Sequence, residues 1–163
     1  MTVHAVTGMV NAVTPTSLSL AASNGVTSEF TIDPSARVSV TFDSGLRADT
    51  AAPAQFNKVG DFVVVYYYGY DTQRTAIAIK DLGAGPFTKA QGTVVAFDKH
   101  TRSLTLRNAS GKETSLVLED SLIVDTDTGV SAGRRFSPHK GDQVRVTYTA
   151  GTPATVAFLR ESL

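Results

Sequence analysis

The sequence predicts an all-β protein made of two tandem small β-barrels related by internal duplication. The first observation is a Gly-Asp turn followed by a run of β-branched and aromatic residues, which occurs in residues 58–68 and again in 139–148. The second is that short apolar segments surround both copies in the same order. The third is that no long segment shows the hydrophobic period of a helix.

The Gly-Asp turns begin the best-defined strand of each half. Gly60 and Gly141 stand where a chain reversal needs a positive φ angle, which glycine adopts without a Cβ clash. In residues 143–148 polar and apolar side chains alternate, as in a strand with one buried and one solvated face. Residues 62–68 are apolar on both faces, and we therefore expect this strand to be covered on both sides.

The first half is a series of short strands separated by turn signals. Pro15 interrupts the first pair of strands because proline cannot donate to a β-ladder, and Asn24-Gly25 is a hairpin signal. Residues 46–58 are predicted to be an irregular connector, with one helical turn within 48–55 as the alternative. The predicted strands are 7–13, 17–20, 29–32, 38–42, 62–68 and 75–79.

The second half repeats this order. Equivalent strands lie 84 or 86 residues apart, and the two Gly-Asp turns lie 81 residues apart. The spacing changes only inside turns and connectors, where insertions are tolerated. The composition of Leu82–Pro86 is that of a linker, so the predicted domains are residues 1–84 and 85–163. The predicted strands of the second domain are 92–97, 103–106, 115–118, 122–126, 143–148 and 155–159.

About six short strands in each half favour a compact, partly open barrel of the OB or SH3-like kind, because closure removes exposed sheet edges. Each barrel is small, so we expect a shared interface that uses the second face of the Phe62–Tyr68 strand, with Phe62, Val64, Tyr66 and Tyr68. The predicted core is Val10, Leu18, Leu20, Phe30, Ile32, Val63, Val65, Ile77 and Ile79 in the first barrel, and Val94, Leu104, Leu106, Leu116, Leu118, Val144, Val146, Val156 and Phe158 in the second.

The composition argues against several classes of protein and excludes some kinds of site. The 15 basic and 15 acidic residues balance, which argues against a nucleic-acid binder because such proteins usually carry a basic excess. The chain has no cysteine, which excludes disulfides and thiolate metal sites. No apolar run reaches the ~18–20 residues that a membrane span requires. The high Thr, Ser, Ala, Val and Gly content is typical of exported bacterial β-proteins, so we expect a periplasmic or secreted location, with the leader absent from this sequence.

The order Gly-x-Val, Ser-Leu-x-Leu, Gly-Asp-x-Val-x-Val and a closing Ala-containing strand resembles the tandem small β-barrel domains of unknown function in bacterial exported proteins. More distantly, it resembles the OB fold of the periplasmic copper chaperones. The resemblance covers nearly the whole chain and implies a binding module. Copper chaperones hold metal with His and Met ligands and a Trp, whereas this chain has no Trp and offers only His4 and Met9. We therefore predict no metal site and no cofactor.

Four tyrosines, Tyr66, Tyr67, Tyr68 and Tyr70, are the main candidates for ligand contact. Aromatic faces on a barrel can stack sugars or bases, and stacking of a base contributes about 1–3 kcal/mol. The alternative, which we favour, is that these rings pack in the core or between barrels while their hydroxyl groups reach water. Tyr66, Tyr68 and Tyr70 are nevertheless retained as candidate binding residues.

The sequence also contains three charged segments that could form sites. Arg134 and Arg135, with His139 and Lys140, form a basic patch that could hold a phosphate, a carboxylate or an acidic polysaccharide, or could be a solvated loop. His100, beside Lys99 and Arg102, is expected to be exposed in a turn. The Asp125-x-Asp127-x-Gly129 sequence begins like a calcium loop but lacks the later ligands, so we interpret it as a solvent-facing strand end and turn.

No serine-nucleophile elbow, zinc-protease helix, phosphate-binding loop or carboxylate pair is recognisable, so no enzyme activity is predicted. The leading hypothesis is a non-catalytic binding or scaffold module with a protein or glycan partner. One alternative is an OB-type protein that binds single-stranded nucleic acid through the tyrosines and the more basic second half. A further alternative is a periplasmic copper carrier that uses His4 and Met9.

Overall fold

A computed structural model describes residues 2–21, 27–32, 46, 50–70 and 73–162. The chain divides into two compact units, Met1–Gly85 and Pro86–Leu163, next to the boundary predicted between residues 84 and 85. The strand predicted at 38–42 and the hairpin signal at Asn24-Gly25 lie outside the described residues. In the part of the chain that is described, no helix is both long enough and apolar enough to span a membrane.

The first unit is a sheet whose strands are ordered β3-β2-β1-β5-β6-β4. A parallel bridge between Thr31 of β3 and Thr75 of β6 joins two non-sequential strands of the sheet. The chain at the position of the predicted connector contributes the short β4 and one 3-10 turn at Pro53–Gln55. The strands are β1 His4–Val13, β2 Ser17–Ala21, β3 Thr27–Thr31, β4 Thr50–Ala51, β5 Phe62–Tyr68 and β6 Thr75–Gly83.

The second unit repeats this topology in the order β10-β9-β12-β11-β7-β8, and an additional β9–β8 pairing closes a five-stranded barrel. The strands predicted at 115–118 and 122–126 form one continuous strand, β9, which pairs in parallel with β12. This strand order is that of an OB-type barrel and confirms the predicted fold class. The strands are β7 Phe87–Asp98, β8 Ser103–Arg107, β9 Glu113–Thr126, β10 Gly129–Ala132, β11 Gln143–Thr149 and β12 Thr155–Ser162.

The Gly-Asp turn of each unit is bonded to the middle of the long first strand. In the first unit the Gly60 amide donates to the Val10 carbonyl and the Val10 amide donates to the Asp61 carbonyl, both at 2.9 Å. The Gly141-Asp142 pair makes the same two bonds with Val94, at 2.9 and 2.8 Å. In both units the β-ladder on the other side of the first strand contains a bulge immediately after this valine. The turn therefore fixes the first strand at the point where that strand bends.

The core of the first unit contains eight of the nine predicted residues, and Phe56 and Ala76 join them. Ile77 is the exception, because it is only partly buried and lies outside this cluster. The β5–β6 register shifts between Tyr66 and Tyr67, so that Tyr67 lies opposite Ala76. This one-residue shift reverses which side chains of β6 face inward, an effect that alternation alone did not reveal.

The core of the second unit shows the same kind of correction. Phe158 is buried but lies outside the core cluster, where Leu159 takes the place predicted for it. The β12–β9 register shifts between Val156 and Phe158, which reverses the facing of the strand beyond that point. The other eight predicted core residues are confirmed, and the strand β9 adds Leu122 and Val124.

The prediction that the Phe62–Tyr68 strand is covered on both sides is also confirmed. Val63 and Val65 belong to the barrel core, and Val64 and Tyr66 on the opposite face of β5 are equally inaccessible to solvent. Phe62 and Tyr68, at the ends of this face, are half-buried.

The turn geometry predicts the result of replacing Gly141 by alanine. Gly141 has a φ of +96°, and no atom lies within 4 Å of the position that a Cβ would take. The substitution should therefore act through the backbone alone and lower the free energy of unfolding by about 1–2 kcal/mol. Urea denaturation measures the effect.

Two matched variants test the cause of this effect. Gly141→Asn should destabilise less than Gly141→Ala because asparagine tolerates positive φ. Lys140→Ala, at an exposed position of the same turn, should stay within about 0.5 kcal/mol of the wild type. Equal stability of Gly141→Ala and wild type would contradict the role assigned to the turn.

Candidate functional site: a basic loop cluster on the second barrel

Each barrel brings its first and last hairpin loops together at the end of its third strand. In the first unit the Ile32 amide donates to the Thr16 carbonyl in the β1–β2 loop, at 2.8 Å. The neighbouring Thr31 amide donates to the carbonyl of Arg74, in the β5–β6 connection, also at 2.8 Å. OB-type barrels bind oligonucleotides and oligosaccharides through these two loops and the adjoining strands, so this region is the candidate binding surface.

The second unit repeats both bonds. The Leu118 amide donates to the Arg102 carbonyl at 3.0 Å, and the Val117 amide donates to the Ala154 carbonyl at 2.9 Å. Arg102 ends the β7–β8 loop, and Ala154 ends the loop between β11 and β12. The same two backbone hydrogen bonds therefore join the loop regions to the third strand in both units.

The β7–β8 loop is held in shape by Asp98. Its Oδ1 atom accepts the backbone amides of His100 at 2.8 Å and Thr101 at 3.4 Å. These amides, that of His100 above all, lower the pKa of Asp98 below its usual value, so its carboxylate stays ionised. Lys99 and His100 are exposed at the tip of the loop.

The Arg102 side chain connects this loop to a second one. Its guanidinium donates to the carbonyl oxygens of Phe136 at 2.5 Å and of Gly133 at 2.8 Å, and its Cζ lies 5.5 Å from the centre of the Phe97 ring. The Phe136 amide donates to the Gly133 carbonyl at 3.0 Å, which closes a tight turn. The two residues in the middle of this turn are Arg134 and Arg135.

We call the set Lys99, His100, Arg102, Arg134 and Arg135 the basic loop cluster. Arg134 and Arg135 are exposed, and within the described residues neither forms an ion pair. Glu119 and Asp120 lie in the same region of β9, between the two leucines that bond to Arg102 and Gly133, so the cluster is flanked by acidic residues. Its exposed positive charge is concentrated on the tip of the loop and on the arginine turn.

The sequence grouped the two arginines with His139 and Lys140, whereas the structure links them to Arg102. His139 and Lys140 belong to the Gly-Asp turn, where the His139 amide donates to the Asp142 carboxylate at 2.9 Å. The link to Arg102 spans more than 30 residues along the chain and follows no sequence motif. The one sign of this link in the sequence was the presence of basic residues in both the β7–β8 loop and the turn that contains Arg134 and Arg135.

The four tyrosines do not form one surface. Tyr66 is fully buried, which raises the pKa of its hydroxyl, and it therefore offers no ring face to a ligand. Tyr68 is half-buried. Tyr67 faces the barrel core, with its ring centre 5.4 Å from that of Phe30. Only Tyr70, with 86% of its surface accessible in the β5–β6 connection, presents an open aromatic ring.

A cation completes the aromatic packing at this end of the first barrel. The Arg74 guanidinium lies 4.4 Å from the centre of the Phe30 ring and 5.7 Å from that of Tyr67. The His4 ring is 6.3 Å from Tyr67, its partner across β1 and β5. Phe30 is a core residue, so these contacts serve the closure of the barrel.

The structure does not bring the two proposed copper ligands together. His4 and Met9 both lie on β1, five positions apart, and therefore point to opposite faces of the strand. Their Cα atoms are separated by about 17 Å of extended chain. Among the described residues, no group of three or more His, Asp or Glu side chains could hold a metal ion.

The incomplete calcium loop has a different role. Arg160 donates to the Asp125 carboxylate at 3.0 Å and to the Asp127 carboxylate at 2.9 Å. Asp125 is buried, so the prediction of a solvent-facing strand end is wrong at this residue, while Asp127 is exposed. The two carboxylates thus hold an arginine between β9 and β12, as expected for a buried charge that requires a partner.

Each unit carries two acidic residues next to its Gly-Asp turn. In the first unit, reduced hydration and then the neighbouring Asp81 raise the pKa of Asp61, while Lys58 opposes the shift and lies 3.4 Å from Asp81. In the second unit, burial and then repulsion by Asp142 raise the pKa of Glu161, while His139 opposes the shift. The sequence showed no carboxylate pair because the partners are about 20 residues apart and meet only through the strand pairing.

No protein-family model and no curated protein matches the chain. Among solved structures, the silver(I) form of CusF is 13% identical, with 47% of this chain and 99% of CusF covered and a TM-score of 0.36. The cold-shock domains CSD456 of drosophila Unr are 14% identical, with 100% of this chain and 62% of that chain covered and a TM-score of 0.32. Both have OB folds, but at these TM-scores it is the strand order above that assigns the fold.

Arg160 should contribute strongly to stability. Replacing Arg160 by methionine removes the cation beside the buried Asp125 and should lower the free energy of unfolding by about 2–3 kcal/mol. Asp127→Asn, which removes only the exposed partner, should cost less than about 1 kcal/mol. Addition of Asp125→Asn to the Arg160→Met variant should recover part of the loss. Equal effects of Arg160→Met and Asp127→Asn in urea denaturation would contradict this assignment.

Glu161 should make stability depend on pH. Because its pKa is raised in the folded state, the ionised carboxylate opposes folding at pH 7, and this penalty disappears as the pH falls and the folded protein takes up the proton. Glu161→Gln should therefore stabilise the protein by about 0.5 kcal/mol at pH 7 and by less at pH 4. Asp120→Asn, at an exposed position, is the control. A gain for Glu161→Gln that does not change between the two pH values would contradict the assignment.

Proposed function

We propose that the chain is a non-catalytic binding module whose second barrel holds an acidic polysaccharide on the basic loop cluster. The observation that carries this proposal is the pair of bonds from Arg102 to the Gly133 and Phe136 carbonyls. These bonds tie the arginine turn to the β7–β8 loop, in the region where OB-type barrels bind their ligands.

The chemistry of the cluster favours an anion. Exposed guanidinium groups pair with carboxylates through two parallel hydrogen bonds, and Arg134 and Arg135 are both accessible for such contacts. Lys99 adds a third exposed cation on the neighbouring loop. Cations spread over two loops suit a polymer whose negative charges recur along its length. An exported location, which the composition predicts, would place the protein among such polymers.

The distribution of aromatic residues favours a glycan over single-stranded nucleic acid. Proteins that bind single strands place exposed aromatic rings beside a basic groove so that successive bases can stack. Among the described residues of the second unit, no large hydrophobic side chain is exposed, and the exposed Tyr70 belongs to the first unit. Phe97 contacts Arg102 and is only partly exposed. Charge is present at the cluster, but a stacking surface is not.

Binding to polygalacturonate, a carboxylated polysaccharide, tests the proposal by isothermal titration calorimetry. The double variant Arg134→Ala/Arg135→Ala should bind at least about tenfold more weakly than wild type, because each charge-assisted hydrogen bond contributes about 1.5–3 kcal/mol. Wild-type binding should also weaken as the salt concentration rises.

The matched control is Lys112→Ala/Arg145→Ala, which removes two exposed cations of the same unit outside the cluster, neither of them ion-paired within the described residues. It should leave the affinity within about twofold of wild type. An equal loss in both double variants would show that binding depends on total charge and would reject the assigned site. Tighter binding of an oligo(dT) probe than of polygalacturonate would replace the glycan by nucleic acid.

A further inference from the structure

We infer that Arg102 is a positioning residue, which sets the geometry of Arg134 and Arg135 without itself contacting the ligand. This inference rests on the proposed function, since the ligand is the one assigned to the basic loop cluster. The exposed Arg134 and Arg135 contact the ligand, and the half-buried Arg102 holds them in position.

The backbone conformation of Arg102 indicates that an arginine side chain is needed at this position. Among the described residues it is the one non-glycine residue with positive φ, at 59°. Such a conformation is uncommon for a side chain of this size. At the equivalent position of the first unit, Thr16 accepts the same backbone hydrogen bond without a positive φ. Glycine or asparagine would satisfy the backbone of Arg102 more easily, so the arginine side chain itself is needed there.

The side chain of Arg102 is bonded to the backbone of the arginine turn. The guanidinium directs two different nitrogen atoms at two carbonyl groups, those of Gly133 and Phe136. A planar guanidinium can bridge two acceptors in fixed directions, whereas a lysine ammonium is a point charge without that fork. The Nε atom of Arg102 is also buried, with no hydrogen-bond partner in the described part of the chain. The head group is thus directed into the protein, away from an approaching ligand.

The two carbonyl groups enclose the residues that would bind. Gly133 precedes Arg134, and Phe136 follows Arg135, so Arg102 holds both ends of the turn that presents them. The Gly133 amide is held as well, by the Leu122 carbonyl at 2.7 Å. A turn fixed in this way loses less conformational freedom when a ligand binds, which increases affinity without any additional contact.

Charge-conserving substitution separates positioning from charge. Arg102→Lys keeps the positive charge but cannot bridge both carbonyls, and Arg102→Met loses both properties. We expect both variants to bind polygalacturonate about fivefold to tenfold more weakly than wild type, and by similar factors. We also expect faster hydrogen exchange at the amides of Gly133 and Phe136 in both. Arg107→Lys and Arg107→Met, on the exposed β8–β9 hairpin, should change neither affinity nor exchange.

Arg102→Gly covers the possibility that the loop itself collapses in these variants. Glycine adopts the positive φ without strain, so the barrel should keep its circular dichroism spectrum while the turn loses protection. Weaker binding with faster exchange in this variant supports positioning. Wild-type affinity in Arg102→Gly would overturn it.

The outcomes distinguish this inference from the proposed function. If Arg102→Lys binds and exchanges like wild type, the positioning role is overturned, whereas binding by wild type would still support the module. If wild type does not bind polygalacturonate while exchange at Gly133 and Phe136 increases in Arg102→Lys, the proposed ligand is rejected and the structural link from Arg102 to the turn is upheld.

Discussion

The fold depends on the contact between a Gly-Asp turn and the middle of the first strand. Val10 in one barrel and Val94 in the other use both backbone groups to bond this turn, and the adjoining ladder bulges immediately afterwards. The first strand of an OB-type barrel must pair with a neighbour on each side while the sheet curves. The turn anchors the strand at that bend. The positive φ that it requires explains why glycine occupies position 60 and position 141.

The two units share their strand order, but the arginines in their loops make different contacts. In the first barrel, the β5–β6 connection supplies Arg74, whose guanidinium packs on Phe30 and Tyr67 at the end of the core. The second barrel has Ala154 at the equivalent backbone position. The arginine at this end of the second barrel is Arg102, which lies in the β7–β8 loop. One cation therefore stabilises an aromatic core, while the other organises a surface turn.

Strand positions and the duplication were predictable because they depend on local composition and spacing. Alternating side chains located β8 and β11, and the shared offsets identified equivalent residues without any knowledge of pairing. Ile77 and Phe158 were assigned to the wrong face for one reason. A register shift adds or removes one residue from the alternation, and its position depends on the neighbouring strand. A period counted along one segment contains no information about that partner.

The candidate site was less predictable because its defining contacts join distant parts of the chain. Arg134 and Arg135 were found as a pair of neighbouring charges, but the residue that holds them lies more than 30 positions earlier. Asp125 and Asp127 failed as a calcium loop, and their partner, Arg160, follows only after two further strands. In both cases the charged residues were visible in the sequence, whereas the partner that orders them was not.

Arg160 and Arg102 also show why the number of charged residues alone does not locate a binding surface in this protein. Arg160 is bonded to two carboxylates and is therefore neutralised within the barrel. Arg102 bonds two carbonyl groups, which carry no net charge. Its neighbours Arg134 and Arg135 keep their positive charges exposed to solvent. An arginine paired with carboxylates adds to stability but little to the external field, whereas one paired with carbonyls leaves the local positive charge intact. For a chain with no net charge, such local separation would account for the affinity for anions that we propose for this surface.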